Sequence, residues 1–227
     1  YKVEPMVTCF AREHVDKIYN HGFKQVKVAS YDCCAPQLIR DLSKKFKNII
    51  VSTGATYDDE IYNSVKILKK NKVNFALLHC ITLYPTPLNY LNLARIGFLK
   101  KYTKNVGYSD HTLSINNKRN LASLAAIYFG ASYIERHIRI LGHQDSKDGK
   151  VSILPSEISE LIEFSKFSKD QQYEYIKNNY NINPKKFLGK EKRILTHEEL
   201  LNRDYYRGRF VSKGQNRDIY NWDEVAI

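Results

Sequence analysis

Short apolar segments alternate with amphipathic segments from the start of the chain to about residue 167. Each apolar segment is rich in β-branched residues and nearly continuous in hydrophobicity, which is typical of strands buried on both faces of a sheet. We therefore predict a series of short buried strands. They cover residues 5–10, 24–30, 48–54, 74–80, 105–111 and 131–138.

The segments between these strands have apolar residues at the spacing of an amphipathic helix. The clearest predicted helices cover residues 35–47, 56–70 and 117–131. Thr56 is predicted to cap the second helix, because acidic residues follow it in the first turn. Gly130 is predicted to end the third helix, since glycine readily adopts the left-handed conformation found there.

A strand followed by a helix, repeated along the chain, indicates a parallel sheet with right-handed crossovers. Polar residues follow each strand, and in a (β/α)8 barrel these carboxyl ends form the rim that carries the chemistry. An open doubly wound sheet would also bring these ends together, but no GxGxxG motif follows the first strand. We predict an α/β protein of the TIM-barrel type in which about the first two βα units are missing, because only six strands are visible.

The pattern of strands and helices ends after Phe167. We predict a partial barrel over residues 1–167 and a linker with a C-terminal tail over residues 168–227, because the latter part is polar and charged. The chain begins with Tyr1 rather than Met, so we expect the true N-terminus to lie upstream.

The charge of the chain leaves two interpretations open. Lys and Arg number 36 against 24 Asp and Glu, a net charge of +12, which could indicate a nucleic-acid or membrane-surface binder. We favour solvated lysines at helix ends and no nucleic-acid partner, because no nucleic-acid-binding motif accompanies the charge.

We also expect no membrane association, since no apolar run approaches the ~18–20 residues needed to span a bilayer. No secretory signal opens the chain, so we expect a cytoplasmic protein with free thiols. The cysteines are Cys9, Cys33, Cys34 and Cys80.

Several motifs lie at the predicted strand ends, in the order TCF, VKVAS, IIVSTG, HCITLYPTP, VGYSDHTLS, GASYIERHI and DGKVSILPSEI. Together they resemble the sialic acid synthase family, whose members condense phosphoenolpyruvate with an N-acetylated hexosamine. The resemblance extends over nearly all of residues 5–165. YPTP, GYSDHT and ERH are specific in combination, whereas each motif alone is weak.

The chain departs from the family pattern in four respects, one of which is a longer segment between strand seven and the YIERH strand. The first two βα units of the family are absent, and with them an active-site glutamate and lysine. Asp148 is followed by Gly149, where the family usually has histidine. We expect the family's antifreeze-like C-terminal domain, which lends an arginine to the partner subunit, to be missing beyond a stub after Arg207. We therefore expect residues 1–227 alone to be inactive, and the resemblance implies a homodimer.

The resemblance implies that His111 and His137 bind a divalent metal, with Mn²⁺ as the first candidate and Mg²⁺ or Co²⁺ as alternatives. Such an ion would keep open positions for water and the aldehyde oxygen of the sugar, whose carbonyl it would polarise. Without the resemblance, two histidines that only form hydrogen bonds would be the simpler interpretation.

The resemblance also implies a phosphoenolpyruvate site, with Lys27 as a fixed cation surrounded by hydroxyl donors. These donors are Thr8, Ser30, Ser52, Thr82 and Ser109. Tyr84 and Asp148 would contact the amino sugar. Glu135 would orient a metal-bound water or bond the sugar, or it would instead pair with Arg136 or Lys27.

The other histidines carry no motif. His79 lies inside an apolar strand and is predicted to be buried and hydrogen-bonded. The remaining four are predicted to be surface residues: His14, His21, His143 and His197.

The function implied is a synthase that condenses phosphoenolpyruvate with an N-acetylated hexosamine, such as N-acetylmannosamine. The product would be a nine-carbon sialic or related nonulosonic acid, with release of phosphate. Alternatives are another phosphoenolpyruvate-dependent keto-acid synthase, and a non-catalytic fragment or degenerate paralogue of the same fold.

Overall fold

The computed structural model of the chain describes residues 3–114 and 117–225. The strands of its main sheet are β1 (Val7–Thr8), β2 (Gln25–Val28), β3 (Asn48–Ser52), β4 (Asn74–Cys80), β5 (Val106–Asp110) and β6 (Tyr133–Arg136). They are arranged in chain order, and the pairs β1–β2, β2–β3 and β5–β6 are parallel. All six predicted strands are confirmed, and with them the α/β class.

The helices between the strands are α1 (Val15–Asn20), α2 (Pro36–Lys45), α3 (Asp58–Lys70), α4 (Ala94–Leu99) and α5 (Leu121–Tyr128). The later helices are α6 (Pro155–Ser165), α7 (Lys169–Tyr180) and α8 (His197–Tyr206). The three predicted helices correspond to α2, α3 and α5. In the described part of the chain, no helix has both the length and the apolar character needed to cross a membrane.

The chain forms two compact units. The first combines Tyr1–Leu77 with Leu195–Ile227, and the second is Leu78–Ile194. The first unit has its core between the sheet and the helices α2 and α3. The apolar residues of β2 and β3 are fully buried there together with those of α2. These residues are Val26, Val28, Ile49, Val51, Leu38, Ile39 and Leu42.

The start of α3 differs from the prediction. Thr56 is not its cap, because the Thr56 hydroxyl donates to the carbonyl oxygens of Ser30 (3.1 Å) and Gly54 (3.0 Å). The cap is Tyr57, whose backbone N–H donates to the Glu60 carboxylate at 2.9 Å. The loop after β3 folds back toward Ser30. The Thr56 hydroxyl is used in this tertiary contact and is therefore not available to cap the helix, as the local sequence pattern had suggested.

The second unit has an almost wholly buried strand, β5, against the apolar helix α5. Gly107 lies opposite Tyr133 in the β5–β6 register, and a Cβ at Gly107 would overlap the Tyr133 carbonyl oxygen. Only glycine therefore allows β6 to approach at this point. The predicted stop of α5 is confirmed, since Gly130 follows the helix with φ of +90°.

Residues 168–225 contain α7, α8 and an antiparallel pair, β7 (Ser212–Lys213) with β8 (Asp218–Ile219). Thr196 caps α8, because its hydroxyl accepts from the Glu199 N–H while the Glu199 carboxylate accepts from the Thr196 N–H. The predicted division of the chain at residue 167 stays a prediction.

Candidate functional site

His111 and His137 come directly after β5 and β6, which are neighbouring parallel strands. Their ring centroids lie 5.4 Å apart. The ring of Tyr84 meets both imidazoles edge to face, at 5.1 Å from His111 and 5.6 Å from His137. The second unit thus gathers three predicted site residues, from three separate parts of the sequence, into one cluster.

One nitrogen of His111 is engaged by the backbone. Its Nδ1 lies 3.2 Å from the Ile81 carbonyl oxygen and 3.8 Å from the Cys80 sulfur. A carbonyl oxygen can only accept, so Nδ1 carries the hydrogen and Nε2 is left to bind a ligand. Burial alone would lower the pKa of His111, but Cys80, Ile81 and Asp110 outweigh it and raise the pKa to about 9. A cation that binds Nε2 therefore displaces a proton.

His137 differs from His111 in its hydrogen bonding. Its Nδ1 is buried and has no hydrogen-bond partner among the described residues. Burial, and then the neighbouring His111, lower the pKa of His137, while Asp148 and Glu135 oppose them. A neutral imidazole with a buried nitrogen that lacks a partner favours ligand binding, since a buried polar atom without one is costly.

The two imidazoles fit a divalent ion by their donor chemistry, because imidazole binds most first-row divalent metals. Among residues 3–114 and 117–225, no group of three or more His, Cys, Asp or Glu side chains is arranged to hold an ion. His111 and His137 would therefore supply two ligands and leave the other coordination positions open. Ligation itself stays a prediction.

Tyr84 is held beside His111 by its own loop. The Tyr84–Pro85 peptide bond is cis, and the Thr86 N–H donates to the His111 carbonyl oxygen at 2.8 Å. The Thr86 hydroxyl donates to the Leu83 carbonyl oxygen at 2.7 Å. Burial first, and then a hydrogen bond with Asp148, raise the pKa of the Tyr84 phenol. Tyr84 and Asp148, the two predicted sugar contacts, are thus in contact with each other.

Ser109 and Glu135 are opposite each other in the β5–β6 register, and the Ser109 hydroxyl donates to Glu135 Oε1 at 2.9 Å. The alternatives for Glu135 stay predictions. Arg136 pairs with Asp110, with Nη1 and Oδ2 2.7 Å apart. The alternation of side chains along a strand explains this, since neighbours in sequence point to opposite faces.

His143 holds the loop that carries Asp148 through two hydrogen bonds. His143 Nδ1 lies 2.6 Å from the Gly149 carbonyl oxygen, and Arg139 Nη2 donates to His143 Nε2 at 2.8 Å. A Cβ at Gly149 would overlap the His143 carbonyl oxygen, so the loop packs closely there. His143 is therefore half-buried and bonded rather than a surface residue. No local motif marked it, because its partners lie elsewhere in the loop.

His79 meets the expectation of a buried, bonded residue. It is 1% exposed, and its Nε2 lies 2.6 Å from the Leu91 carbonyl oxygen. Burial lowers the pKa of His79 to about 3, so the ring stays neutral. The four cysteines are free and buried.

The remaining predicted phosphoenolpyruvate residues are mostly in the first unit. Thr8 and Lys27 are partners in the β1–β2 register, and Lys27 is half-buried. The Ser30 hydroxyl accepts from the Gly54 N–H at 3.2 Å. The Ser52 hydroxyl is buried and has no hydrogen-bond partner among the described residues. In the second unit, Thr82 is buried in the segment after β4.

A parallel sheet with polar side chains at its carboxyl strand ends is the architecture of barrel-type α/β enzymes. Comparison with known proteins narrows this class. Residues 1–173 match the NeuB family, and the chain belongs to that family. The resemblance inferred from the strand-end motifs is thereby confirmed.

Two curated relatives and one solved structure show how far the similarity extends. N,N'-diacetyllegionaminic acid synthase of Campylobacter jejuni is 37% identical over 158 residues, which are 68% of this chain and 46% of the relative. Pseudaminic acid synthase of the same organism is 28% identical over 90% of this chain and 54% of its own length. The chain thus spans about half the length of these relatives.

The solved structure is N-acetylneuraminic acid (sialic acid) synthetase from Leptospira borgpetersenii, in complex with citrate. It has a TM-score of 0.64 and 29% identity, and the match covers 87% of this chain and 62% of that protein. All three of these relatives carry the names of synthases or synthetases of acidic sugars.

Proposed function

We propose that the natural protein carrying this chain joins phosphoenolpyruvate to an N-acetylated hexosamine and releases phosphate. The product would be a nine-carbon nonulosonic acid of the sialic, legionaminic or pseudaminic type. The observation that carries the proposal is the cluster of His111, His137 and Tyr84 at neighbouring strand ends, in a chain of the NeuB family. A homodimer remains a prediction.

His111 and His137 would hold a divalent ion, for which the family resemblance implies Mn²⁺ first, with Mg²⁺ or Co²⁺ as alternatives; imidazole nitrogen can bind such first-row ions. When bound, this ion would supply Lewis-acid polarisation of the acceptor's carbonyl group. The described site supports this role in two ways. His111 Nδ1 is tied to a backbone carbonyl, and His137 Nδ1 is buried without a partner among the described residues.

In the first unit, Lys27 would supply the fixed positive charge for the phosphate or carboxylate of phosphoenolpyruvate. Ser52 is the hydroxyl best supported for the same ligand, because its buried oxygen has no partner in the described residues. Thr8 and Ser30 would add hydroxyl groups from the neighbouring strand ends, and Thr82 and Ser109 would do so in the second unit. A dianion needs several such donors, since each charge-assisted bond contributes separately.

In the second unit, Tyr84 and Asp148 would contact the amino sugar. The two side chains lie side by side, since Asp148 contributes to the raised pKa of the Tyr84 phenol, so both could contact the same sugar. Glu135, which accepts from Ser109, would orient a water or bond the sugar. Preorganised polar groups of this kind lower the barrier because they need little rearrangement during the reaction.

The proposed condensation forms one C–C bond and one C–O bond and breaks the C–O bond between phosphoenolpyruvate and its phosphate. C3 of phosphoenolpyruvate attacks the aldehyde carbon of the open-chain sugar, which forms the new C–C bond, and the aldehyde oxygen takes up a proton. C2 becomes cationic, and water adds to it with loss of a proton. The tetrahedral intermediate then breaks its C–O bond to the phosphoryl group and expels phosphate. Holding both substrates in the correct orientation supplies a large part of the acceleration.

The test is a steady-state assay of phosphate release by the natural protein, with phosphoenolpyruvate, Mn²⁺ and a panel of N-acetylated hexosamines. Lys27→Ala should raise KM for phosphoenolpyruvate far more than KM for the sugar. Losing a charge-assisted contact costs roughly 2–4 kcal/mol, which is about thirty- to a thousandfold. Lys24→Ala is the matched control, because Lys24 is exposed. Equal effects of Lys27→Ala on both substrates, or no turnover with any acceptor in the panel, would contradict the proposal.

A further inference from the structure

Asp110 and Arg136 occupy matching positions on the two strands that carry the histidines. Asp110 directly precedes His111, and Arg136 directly precedes His137. The two residues are partners in the parallel β5–β6 register. Their side chains form an ion pair, with Arg136 Nη1 2.7 Å from Asp110 Oδ2 and side-chain exposures of 4% and 0%. This ion pair therefore links the two strands one residue before each imidazole.

The Asp110 carboxylate is anchored on both of its oxygens. Oδ1 accepts from the backbone N–H of Thr112 at 2.8 Å and from the Thr112 hydroxyl at 2.7 Å. Oδ2 accepts from the Ser123 hydroxyl of α5 at 2.5 Å, in addition to its contact with Arg136. Asp110 thus fixes the backbone on both sides of His111 and joins it to the helix behind the sheet.

Arg136 is held less completely. Its Nη2 donates to the Arg119 carbonyl oxygen at 3.1 Å, while its buried Nε and Nη1 have no hydrogen-bond partner among the described residues, so the 2.7 Å contact of Nη1 with Asp110 is an ion pair without hydrogen-bond geometry. The ion pair with Asp110 is therefore the main polar contact of a guanidinium that is almost fully removed from water. A buried charge that loses its partner is strongly destabilising, so separating Arg136 from Asp110 is costly.

The ion pair lies on the face of the sheet opposite to Ser109 and Glu135, because side chains alternate along a strand. Ser123 of α5 contacts Asp110, so this face is the one that packs against the helix. Neither Asp110 nor Arg136 is thus placed to touch a ligand held by Glu135 and the imidazoles. An effect of the pair on that ligand would act through the strand ends or through the electric field of the two charges.

We propose that the Asp110–Arg136 ion pair is a positioning device that fixes the separation of His111 and His137, and through it the affinity for a divalent cation. The inference rests on the metal site of the proposed function. The physical reason is that the two strands could shift along each other, and a shift of one strand by a single residue moves its side chains by about 3.3 Å. An ion pair one residue away from each imidazole opposes even a fraction of that slip.

A purely electrostatic role would have a different signature. The Asp110 charge attracts a cation and the Arg136 charge repels it, so removing the two charges separately would change metal affinity in opposite directions. A positioning role predicts the same direction for both changes. A role in stability alone predicts unchanged affinity in the folded protein.

The experiment measures the Kd for Mn²⁺ by electron paramagnetic resonance of the free ion, for Asp110→Asn, Arg136→Met and the double variant. We expect each single variant to weaken binding about tenfold or more, which is typical of residues that orient metal ligands. The double variant should be no weaker than the worse single variant, because the two residues act as one unit. Ser123→Ala, which removes one anchor of Asp110, should act in the same direction with a smaller effect. Arg12→Met is the matched control, because Arg12 forms a buried ion pair with Asp41 in the first unit at 2.7 Å.

A second readout needs no metal. In the metal-free protein, nuclear Overhauser contacts between the Tyr84 ring and both imidazoles should weaken in Arg136→Met and Ser123→Ala, and persist in Arg12→Met. Unchanged contacts together with unchanged Mn²⁺ affinity, or opposite affinity changes for Asp110→Asn and Arg136→Met, would overturn the inference. If the wild type binds no Mn²⁺, the metal site of the proposed function fails, and the Overhauser contacts alone decide whether the ion pair positions the rings.

Discussion

The two compact units each contain a buried arginine–carboxylate ion pair, and the two pairs have different roles. In the first unit, Arg203 of α8 pairs with Glu60 of α3 at 2.5 Å and donates to the Ala55 carbonyl oxygen at 2.6 Å. In the second unit, Arg136 pairs with Asp110 beside the two histidines. The first pair joins segments 143 residues apart in sequence, whereas the second joins neighbouring strand ends. The same interaction thus stabilises the fold in one unit and orders the candidate site in the other.

The surroundings of the two pairs explain the difference. Arg203 lies over the Tyr57 ring at 4.9 Å, and it joins α8 to the first turn of α3 and to the loop after β3. Asp110 is bonded to the residue that follows His111, so a change in its position is transmitted to a functional side chain. Variants should therefore separate stability from metal affinity, and the following predictions are ordered by expected size.

Arg203→Met should have the largest effect on stability. It leaves the mostly buried Glu60 without its ion-pair partner, which costs about 3 kcal/mol in the free energy of unfolding. Urea denaturation measures this value, and Arg209→Met at an exposed position near the end of the same helix is the control. Mn²⁺ affinity of the folded protein should stay unchanged. Equal stability of the two variants would show that the Arg203 pair does not hold the first unit together.

Asp32→Asn tests a buried carboxylate of the first unit that has an amide partner. Asp32 Oδ1 accepts from Asn221 at 2.8 Å, and burial raises the pKa of Asp32 from 3.8 to about 6. The folded state thus holds this proton more tightly than the unfolded chain, and stability falls as the pH rises from about 4 to about 6. Asp32→Asn should remove this decrease and gain about 2 kcal/mol at pH 7.

Urea denaturation between pH 4 and pH 7 checks this prediction, with the exposed Asp204→Asn as its control. The same slope in the wild type and in Asp32→Asn would mean that Asp32 does not titrate in this range. In that case the contribution of Asp32 to the free energy of unfolding would come from its hydrogen bond with Asn221 alone.

His143→Ala should have the smallest effect of these variants, on the opening of the loop that carries Asp148 in the second unit. Removing its bonds with Arg139 and Gly149 should open the loop more often, because each such bond contributes about 1 kcal/mol. Trypsin should then cleave at the exposed Lys147 and Lys150 about tenfold faster. His143→Gln should restore part of the protection, since an amide offers both a donor and an acceptor. His197→Ala, at an exposed position, should leave the rate unchanged, and a similar increase in both alanine variants would contradict the prediction.

The sheet was predictable because each strand is a short apolar run between turn residues, so that local pattern and burial agree. The placement of His111 and His137 on neighbouring strand ends also followed from this pattern, since parallel strands present their carboxyl ends together. Both inferences depend on periodicity along the chain, which a single sequence contains.

Other features depend on contacts between distant residues and were missed. The Thr56 hydroxyl bonds Ser30 rather than the helix it was expected to cap. The Asp110–Arg136 pair was visible only as two charged residues inside motifs, because pairing requires the β5–β6 register. His143 has no motif at all, since its partners are an arginine and a backbone carbonyl. Sequence pattern therefore locates the site more readily than it identifies the residues that support it.

The most direct test of the account is the stoichiometry of Mn²⁺ binding to wild type, His111→Ala and His137→Ala, with urea denaturation of each variant as the control for folding. The account predicts one Mn²⁺ per chain in the wild type, and loss of binding in both variants although each still unfolds cooperatively in urea. The same stoichiometry and affinity in all three proteins would contradict it, because the two imidazoles would then not be the ligands.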